Sequence, residues 1–295
     1  MENFKPMRAR TADLSNILFP AYVSTKVDGL RVNIIGGKAR TKSLKPISNI
    51  YTRELLEKYP NFEGIEAELT TSWDYSDEEA FNKATGDFRR FEGEPNVCMS
   101  IFDLISNDPF TVRYNTLQRM DDHFPSFARV LPQVLVNDMV QLQAYIENAR
   151  QLGHEGIMIR YYGSSYKCGT ATLKGQELMR YKFLEDDEAI VEGVEEGHIN
   201  TNEKIKNELG RSSRSSSKDG LVPSGLVGVI LGRHPQWGIV RVSGLKDDLA
   251  KDMLENIDQY IGKLFTFRYQ AHGSLEAPRQ AKFKGFRDPD DMSLP

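Results

Sequence analysis

The pattern of apolar and polar positions over residues 22–27 and 30–35 predicts two strands, and Gly36-Gly37 supplies a hairpin turn into a third segment, 38–43. Ile50, Leu55, Leu56 and Tyr59 fall at helical spacing, so residues 47–59 are expected to form a helix that Pro60 stops. A short strand over 64–70, a helix over 77–91 and a buried strand over 96–105 follow. Helices are expected over 111–124 and 138–152, the second ended by Gly153. Strands over 156–162 and 177–183 complete the series. Helices inserted irregularly between strands point to an α+β domain of antiparallel sheets rather than to repeated βαβ units.

The pattern changes at Leu184-Glu185-Asp186-Asp187-Glu188, an acidic stretch fit for a hinge. Beyond it come short, glycine-punctuated strands over 189–194, 226–233, 238–243 and 263–270, with one helix over 246–260. Such a series fits a small Greek-key β-barrel of the OB type. The expected organisation is therefore two domains, 1–184 and 185–295. Residues 211–218 contain five serines and read as a flexible basic loop outside the barrel. There is no internal repeat.

Composition narrows the setting. A hydrophobic content of 39% and a charged content of 27% suit a soluble globular chain. No apolar run approaches the roughly 20 residues of a membrane span, and residues 1–10 lack the apolar stretch of a secretory signal. Cys98 and Cys168 are the only cysteines, and neither belongs to a Cys/His cluster. A cysteine-built zinc site is excluded, and a reducing, cytoplasmic setting is the default. The net charge of −4 argues against a protein that coats nucleic acid indiscriminately, yet the charge is uneven. Residues 204–218 carry five basic side chains (Lys204, Lys206, Arg211, Arg214, Lys218) against one acidic, Glu208. Residues 279–287 carry four basic side chains and no acidic one. Local patches of this kind suit phosphate contacts at defined places.

The candidate chemistry starts at Ser24-Thr25-Lys26-Val27-Asp28-Gly29-Leu30-Arg31. Alone, Lys-x-Asp-Gly reads as readily as a tight turn with a solvent-facing lysine. Its downstream partners and their order change the balance. Ala39-Arg40 follows the hairpin, and Ile65-Glu66-Ala67-Glu68 places two carboxylates at i and i+2 on one strand face. Ile101-Phe102-Asp103 sets an aromatic beside an acid, Glu155-Gly156-Ile157-Met158-Ile159-Arg160 opens a strand with a carboxylate, and Arg180-Tyr181-Lys182 puts two cations on one face.

This order resembles that of the ATP-dependent DNA ligases, in particular the small phage and bacterial type, within the lysine-dependent nucleotidyltransferases. The similarity runs from about Ser24 to Asp288. It implies a nucleotidyltransferase domain followed by an OB-fold domain. Lys26 would carry AMP covalently, with Ser24 and Thr25 beside it, and Arg31 would meet the nucleotide sugar and the phosphate of the nick. Arg40 matches the arginine of the next motif, Glu68 the carboxylate that meets ribose or metal, and Phe102 the aromatic stacked on adenine. Glu155 matches the metal-associated glutamate. Arg180 and Lys182 match the paired lysines at the α-phosphate, and Lys282, Lys284, Arg287 and Asp288 the last motif, which orients the ATP pyrophosphate. Several positions depart from the family: arginine replaces lysine at 160 and 180, keeping the charge but giving up proton transfer. Ala39 stands where serine is usual, and Glu66-Ala67-Glu68 replaces Asp-Gly-Glu, which favours Glu68 over Glu66.

The implied activity is nick sealing in duplex DNA with ATP and Mg2+ (or Mn2+), by a monomer that does not bind membranes. An ordinary lysine is only about 0.04% free amine at pH 7, so a nucleophilic one needs help from its surroundings. The position of Lys26 near the N-terminus assigns DNA contact to the two domains themselves, with residues 204–218 reaching the duplex. Alternatives within the superfamily are an RNA ligase or an mRNA guanylyltransferase. A non-enzymatic alternative is an inactive nucleotidyltransferase that binds nucleic acid through its OB fold.

Overall fold

The computed structural model describes residues 4–76, 80–208, 210, 212–274 and 276–287. The chain divides into two compact units, Met1–Lys182 and Phe183–Pro295. The first unit contains β1 (Arg10–Thr11), β2 (Ala21–Thr25), β3 (Leu30–Ile35), β4 (Lys38–Thr41), β5 (Ile65–Thr70), β6 (Cys98–Leu104), β7 (Ala128–Val130), β8 (Val134–Val136), β9 (Gly156–Tyr161) and β10 (Met179–Lys182). Its helices are α1 (Ile50–Glu57), α2 (Ala80–Asp87), α3 (Phe110–Met120) and α4 (Met139–Gln151). Two five-stranded sheets result, ordered β1-β10-β9-β2-β8 and β4-β3-β5-β6-β7. Pairing is antiparallel except at β1–β10 and β6–β7.

Local chemistry explains the main elements. Gly36 and Gly37 have φ of 59° and 69°, the two left-handed positions of a type I′ hairpin, and their amides donate to Glu63. Asn49 caps α1 by accepting from the Thr52 amide, and Asp138 caps α4 by accepting from Gln141. The main core lies on the β3-β5-β6 sheet, where Val32, Ile34, Ile65, Leu69 and Ile101 meet Leu56, Phe62, Phe88, Phe110 and Leu117. A smaller cluster of Met7, Ala171 and Leu178 packs the N-terminal segment beside β10.

The second unit holds β11 (Leu184–Asn200), β12 (Lys204–Lys206), β13 (Ser212–Arg214), β14 (Leu221–His234), β15 (Gly238–Val242), α5 (Asp247–Glu255), β16 (Leu264–Gln270) and β17 (Arg279–Phe286). Five of these strands form a sheet ordered β15-β14-β11-β16-β17. Ser243, just beyond β15, bonds to Ala281 and Phe283 of β17, so the first and last strands of the order meet there. Phe265, Phe267, Ile230, Val240 and Met253 fill the core.

Two expectations are corrected. Residues 184–188 are not a free linker: they begin the 17-residue strand β11 and pair with β16 from Leu184↔Gln270 onward. Asp186 is paired with Arg268 and Lys284 and Glu188 with Arg287, while Glu185 accepts from the Tyr269 hydroxyl, which makes a polar strand stable. The basic segment is likewise not a structureless loop. β11 and β14 extend as a long hairpin, beyond which β12 and β13 pair through Lys204↔Arg214 and Lys206↔Ser212. Asn200 and Asn202 donate side-chain hydrogen bonds to the carbonyls of Ser215 and Ser217, supplying the order that the serine-rich composition does not suggest.

Candidate active site

Lys26 is the first residue past the end of β2, and its amide donates to the Gly156 carbonyl at 2.9 Å. Its ammonium donates to Oε2 of Glu155, while Lys182 pairs with Oε1 of the same carboxylate at 2.8 Å. Glu155 is buried and the two lysines are partly exposed. Burial pushes the Glu155 carboxyl up, but Lys26 and Lys182 outweigh it and hold the group below the usual carboxylate range. Both motif glycines serve close approach. A Cβ at Gly29 would lie 2.3 Å from the Leu69 carbonyl oxygen, and one at Gly156 2.3 Å from that of Tyr181. Only glycine lets the strands carrying Lys26 and Glu155 come this near their neighbours.

Lys26 opens into a cavity of about 400 Å³ that is also lined by Ser24, Thr25, Arg31, Glu68, Phe102 and Arg180. Strands from both sheets of the unit thus contribute to one site. Arg31 donates to the fully buried Glu66 at 2.7 Å, and Glu66 accepts from Tyr166 at 2.8 Å. The Arg31 guanidinium lies 5.1 Å from the centre of the Phe102 ring. Its Nε is buried and has no hydrogen-bond partner among the described residues, on a side chain that lines the cavity. An isolated buried donor is costly, so the arrangement favours a ligand that supplies an acceptor.

Glu68 has its pKa raised to about 7. Burial is the largest cause; Lys26 and Arg31 offset it only in part, and Asp28 and Glu155 add further negative charge. Glu68, short of positive charge, is a carboxylate that suits a divalent cation. Among the described residues no three or more His, Cys, Asp or Glu side chains gather as a metal site.

Leu131 and Lys42 line the cavity and escaped sequence reasoning; Met158 and Arg160, from the segment read above, line it too. Arg160 donates to the buried Asp103 at 2.5 Å, and Arg113, also buried, donates to the same carboxylate at 2.8 Å. Burial pushes Asp103 up, but Arg160 and Arg113 outweigh it and hold its carboxyl below the ordinary value. This cluster props up the Phe102 end of the site. The Phe102–Asp103 juxtaposition was the available signal, but nothing local pointed to Arg113. Arg40, by contrast, is not among the lining residues: its guanidinium donates to the Leu44 carbonyl at 3.2 Å.

The remaining expected residues lie in the second unit. Lys284 pairs with Asp186 at 2.6 Å, and Arg268 grips the same carboxylate at 2.7 and 3.0 Å. Hydrogen bonds from Arg268 and Lys284 hold Asp186 well below the usual carboxylate range. Arg287 donates to Glu188, and Lys282 to Ser243 at 2.9 Å. Lys284, Arg287, Asp186 and Glu188 line an open cleft of about 710 Å³. Lys204, Lys206, Arg214 and Lys218 are exposed on and after the β12–β13 pair, where Arg214 also donates to the Asn202 carbonyl. Arg211 and Asp288 lie outside the described residues.

Comparison with known proteins now decides the family. Residues 6–182, more than half of the chain, match the model of the ATP dependent DNA ligase domain. The chain belongs to that family. The DNA ligase of Methanospirillum hungatei JF-1 is 29% identical over 126 residues, 37% of this chain and 22% of that protein. The chain thus spans about a fifth of the length of that curated relative. Among solved structures, a Chlorella virus DNA ligase-adenylate is 24% identical with a TM-score of 0.54, covering 97% of this chain and 99% of its own. A structure of the Lig E DNA ligases is 20% identical with a TM-score of 0.66, covering 96% and 99%. At these identities the structures speak to the fold: a nucleotidyltransferase domain followed by an OB-fold domain. Among the described residues, no helix is long and apolar enough to cross a membrane.

Proposed function

We propose that this protein seals nicks in duplex DNA with ATP, carrying AMP on Lys26. The observation that supports this most directly is the placement of the Lys26 amine. It rests on Glu155 beside Lys182, at a cavity that Phe102 and Arg31 also line. Adenine would stack on Phe102, Arg31 would donate to the sugar or phosphate, and Arg180 with Lys182 would face the α-phosphate. Arg40 fits a later contact with the nick, since the cavity does not use it.

Three in-line transfers follow. First, the Lys26 amine, having lost its proton, bonds to the α-phosphorus as the bond to the β-phosphate oxygen breaks and pyrophosphate leaves. Next, an oxygen of the 5′-phosphate at the nick attacks the AMP phosphorus, and the N–P bond breaks as the amine recovers a proton. Finally, the 3′-hydroxyl attacks the 5′-phosphorus, loses its proton and expels AMP. Each step needs placed positive charge more than acid–base power. Glu155, held below the usual carboxylate range, is a poor base and serves to orient Lys26. A divalent ion at Glu68 and Glu155 would neutralise phosphate charge.

In the second unit, Lys282, Lys284, Arg287 and Asp288 are assigned to the leaving pyrophosphate, and the β12–β13 pair to DNA. Removing the charge of Arg214 together with Arg211 should weaken binding of nicked duplex and flatten its salt dependence, by roughly one unit of slope per lost phosphate contact. An unchanged affinity at every salt concentration would end that assignment. A cytoplasmic monomer is the expected form. The test of the whole reading is Lys26→Ala in a sealing assay. Closure with ATP should vanish, while a pre-adenylylated nick should still close slowly. Normal ATP-dependent closure by the variant rules the covalent route out.

A further inference from the structure

Thr25, the last residue of β2, directly precedes Lys26 and is only 6% exposed. Its hydroxyl oxygen lies 2.5 Å from Nδ1 of His154. Tyr145, on α4, also hydrogen-bonds to Thr25. His154 in turn directly precedes Glu155, the carboxylate that holds the Lys26 amine. Two consecutive residues of one segment, His154 and Glu155, therefore grip two consecutive residues of another, Thr25 and Lys26.

From this pairing we infer that His154 is a positioning residue for Lys26. The inference rests on the reading of Lys26 as the residue that takes AMP. β2 pairs with β9 from Ala21↔Tyr161 to Thr25↔Ile157, and the hydrogen bond from the Lys26 amide to the Gly156 carbonyl is the last rung before the chain leaves the sheet. A lysine stem is flexible, so the place where its backbone departs governs where the amine can reach. The His154–Thr25 bond adds a side-chain hold at the end of that ladder, tying the departure point to the segment that carries Glu155. Reacting atoms must come within about 3–3.5 Å in line, and a misplacement of about 1 Å can cost 10²-fold in rate. His154 makes no contact with the nucleotide in this scheme; it acts through Thr25 and the backbone.

The test compares the wild-type protein with His154→Ala and His154→Asn in two assays. One is the rate of covalent lysyl-AMP formation across ATP concentrations, and the other is closure of a pre-adenylylated nick without ATP. His154→Ala should slow lysyl-AMP formation about tenfold or more at saturating ATP. Its KM for ATP and its closure of the pre-adenylylated nick should stay within about twofold, the signature of lost alignment rather than lost binding. His154→Asn, whose amide can reach the Thr25 hydroxyl, should recover most of the rate. Lysyl-AMP formation by His154→Ala at the wild-type rate overturns the inference. So does a proportional loss in both assays, which marks a merely structural role. A wild-type protein that forms no lysyl-AMP overturns the reading of Lys26 itself, and the inference with it.

Discussion

The carboxylate between Lys26 and Lys182 and the one between Arg268 and Lys284 have the same kinds of partner and opposite physics. Glu155 is 1% exposed, so its attraction to the two ammonium groups is little screened and its geometry is imposed by packed strands. Asp186 is 37% exposed and Lys284 42%, so water and salt compete for both. The first arrangement can hold a nucleophile in place. The second can release its cations cheaply, which suits side chains assigned to a leaving pyrophosphate. Burial, rather than the presence of charge, separates a fixed site from an adaptable one.

Removing each carboxylate should expose the difference. Glu155→Ala leaves two ammonium groups without their counter-charge and frees the Lys26 stem. Lysyl-AMP formation should fall by about 10²–10³-fold, in the range seen when one placed electrostatic group is lost. A loss under about tenfold would mean that Glu155 does not place Lys26.

Asp103→Ala extends the contrast to a buried charge cluster, one member of which, Arg160, lines the cavity. It strands the buried Arg113 and Arg160 guanidinium groups and should cost about 3–5 kcal/mol, read as a lower urea midpoint. The pH dependence has a definite sign. Asp103 is held below its ordinary value in the folded state, so its contribution is present above pH 3.8 and is lost as pH falls through the folded value. The wild-type protein should lose stability below about pH 3.8 more steeply than Asp103→Asn does.

The smallest effects belong to the second unit. Lys284→Ala should raise the KM for ATP in lysyl-AMP formation by no more than about fivefold, and the effect should shrink as salt is added. A large, salt-insensitive effect would place Lys284 in a buried contact and erase the comparison.

Much of this site was legible because its residues sit in short, ordered segments. Lys26, Glu68, Phe102 and Arg180 were each readable beside a strand signal, and the chain brings them to one cavity. The helix α4 was readable from its Asp138 cap and the Gly153 stop. The buried cluster was not, because Arg113 and Arg160 lie 10 and 57 residues from Asp103, and such pairing leaves no local pattern. The acidic start of β11 looked like a linker because its partners, Arg268 and Lys284, come from other strands. Polarity along a chain cannot reveal a cation supplied across a sheet. β7 and β8, at three residues each, are too short for any periodicity to mark them. Arg40 shows the converse limit: its motif was plain, yet its side chain turns to its own loop.

The most direct measurement is to incubate wild-type protein and Lys26→Ala with Mg2+ and ATP radiolabelled at the α-phosphate, then map the label. Acid-labile, alkali-stable label confined to the peptide containing Lys26, absent from Lys26→Ala and discharged by nicked duplex DNA with sealing, is the expected result. Label retained by Lys26→Ala, or sealing by the wild-type protein without any covalent label, would contradict the assignment of Lys26 as the AMP carrier.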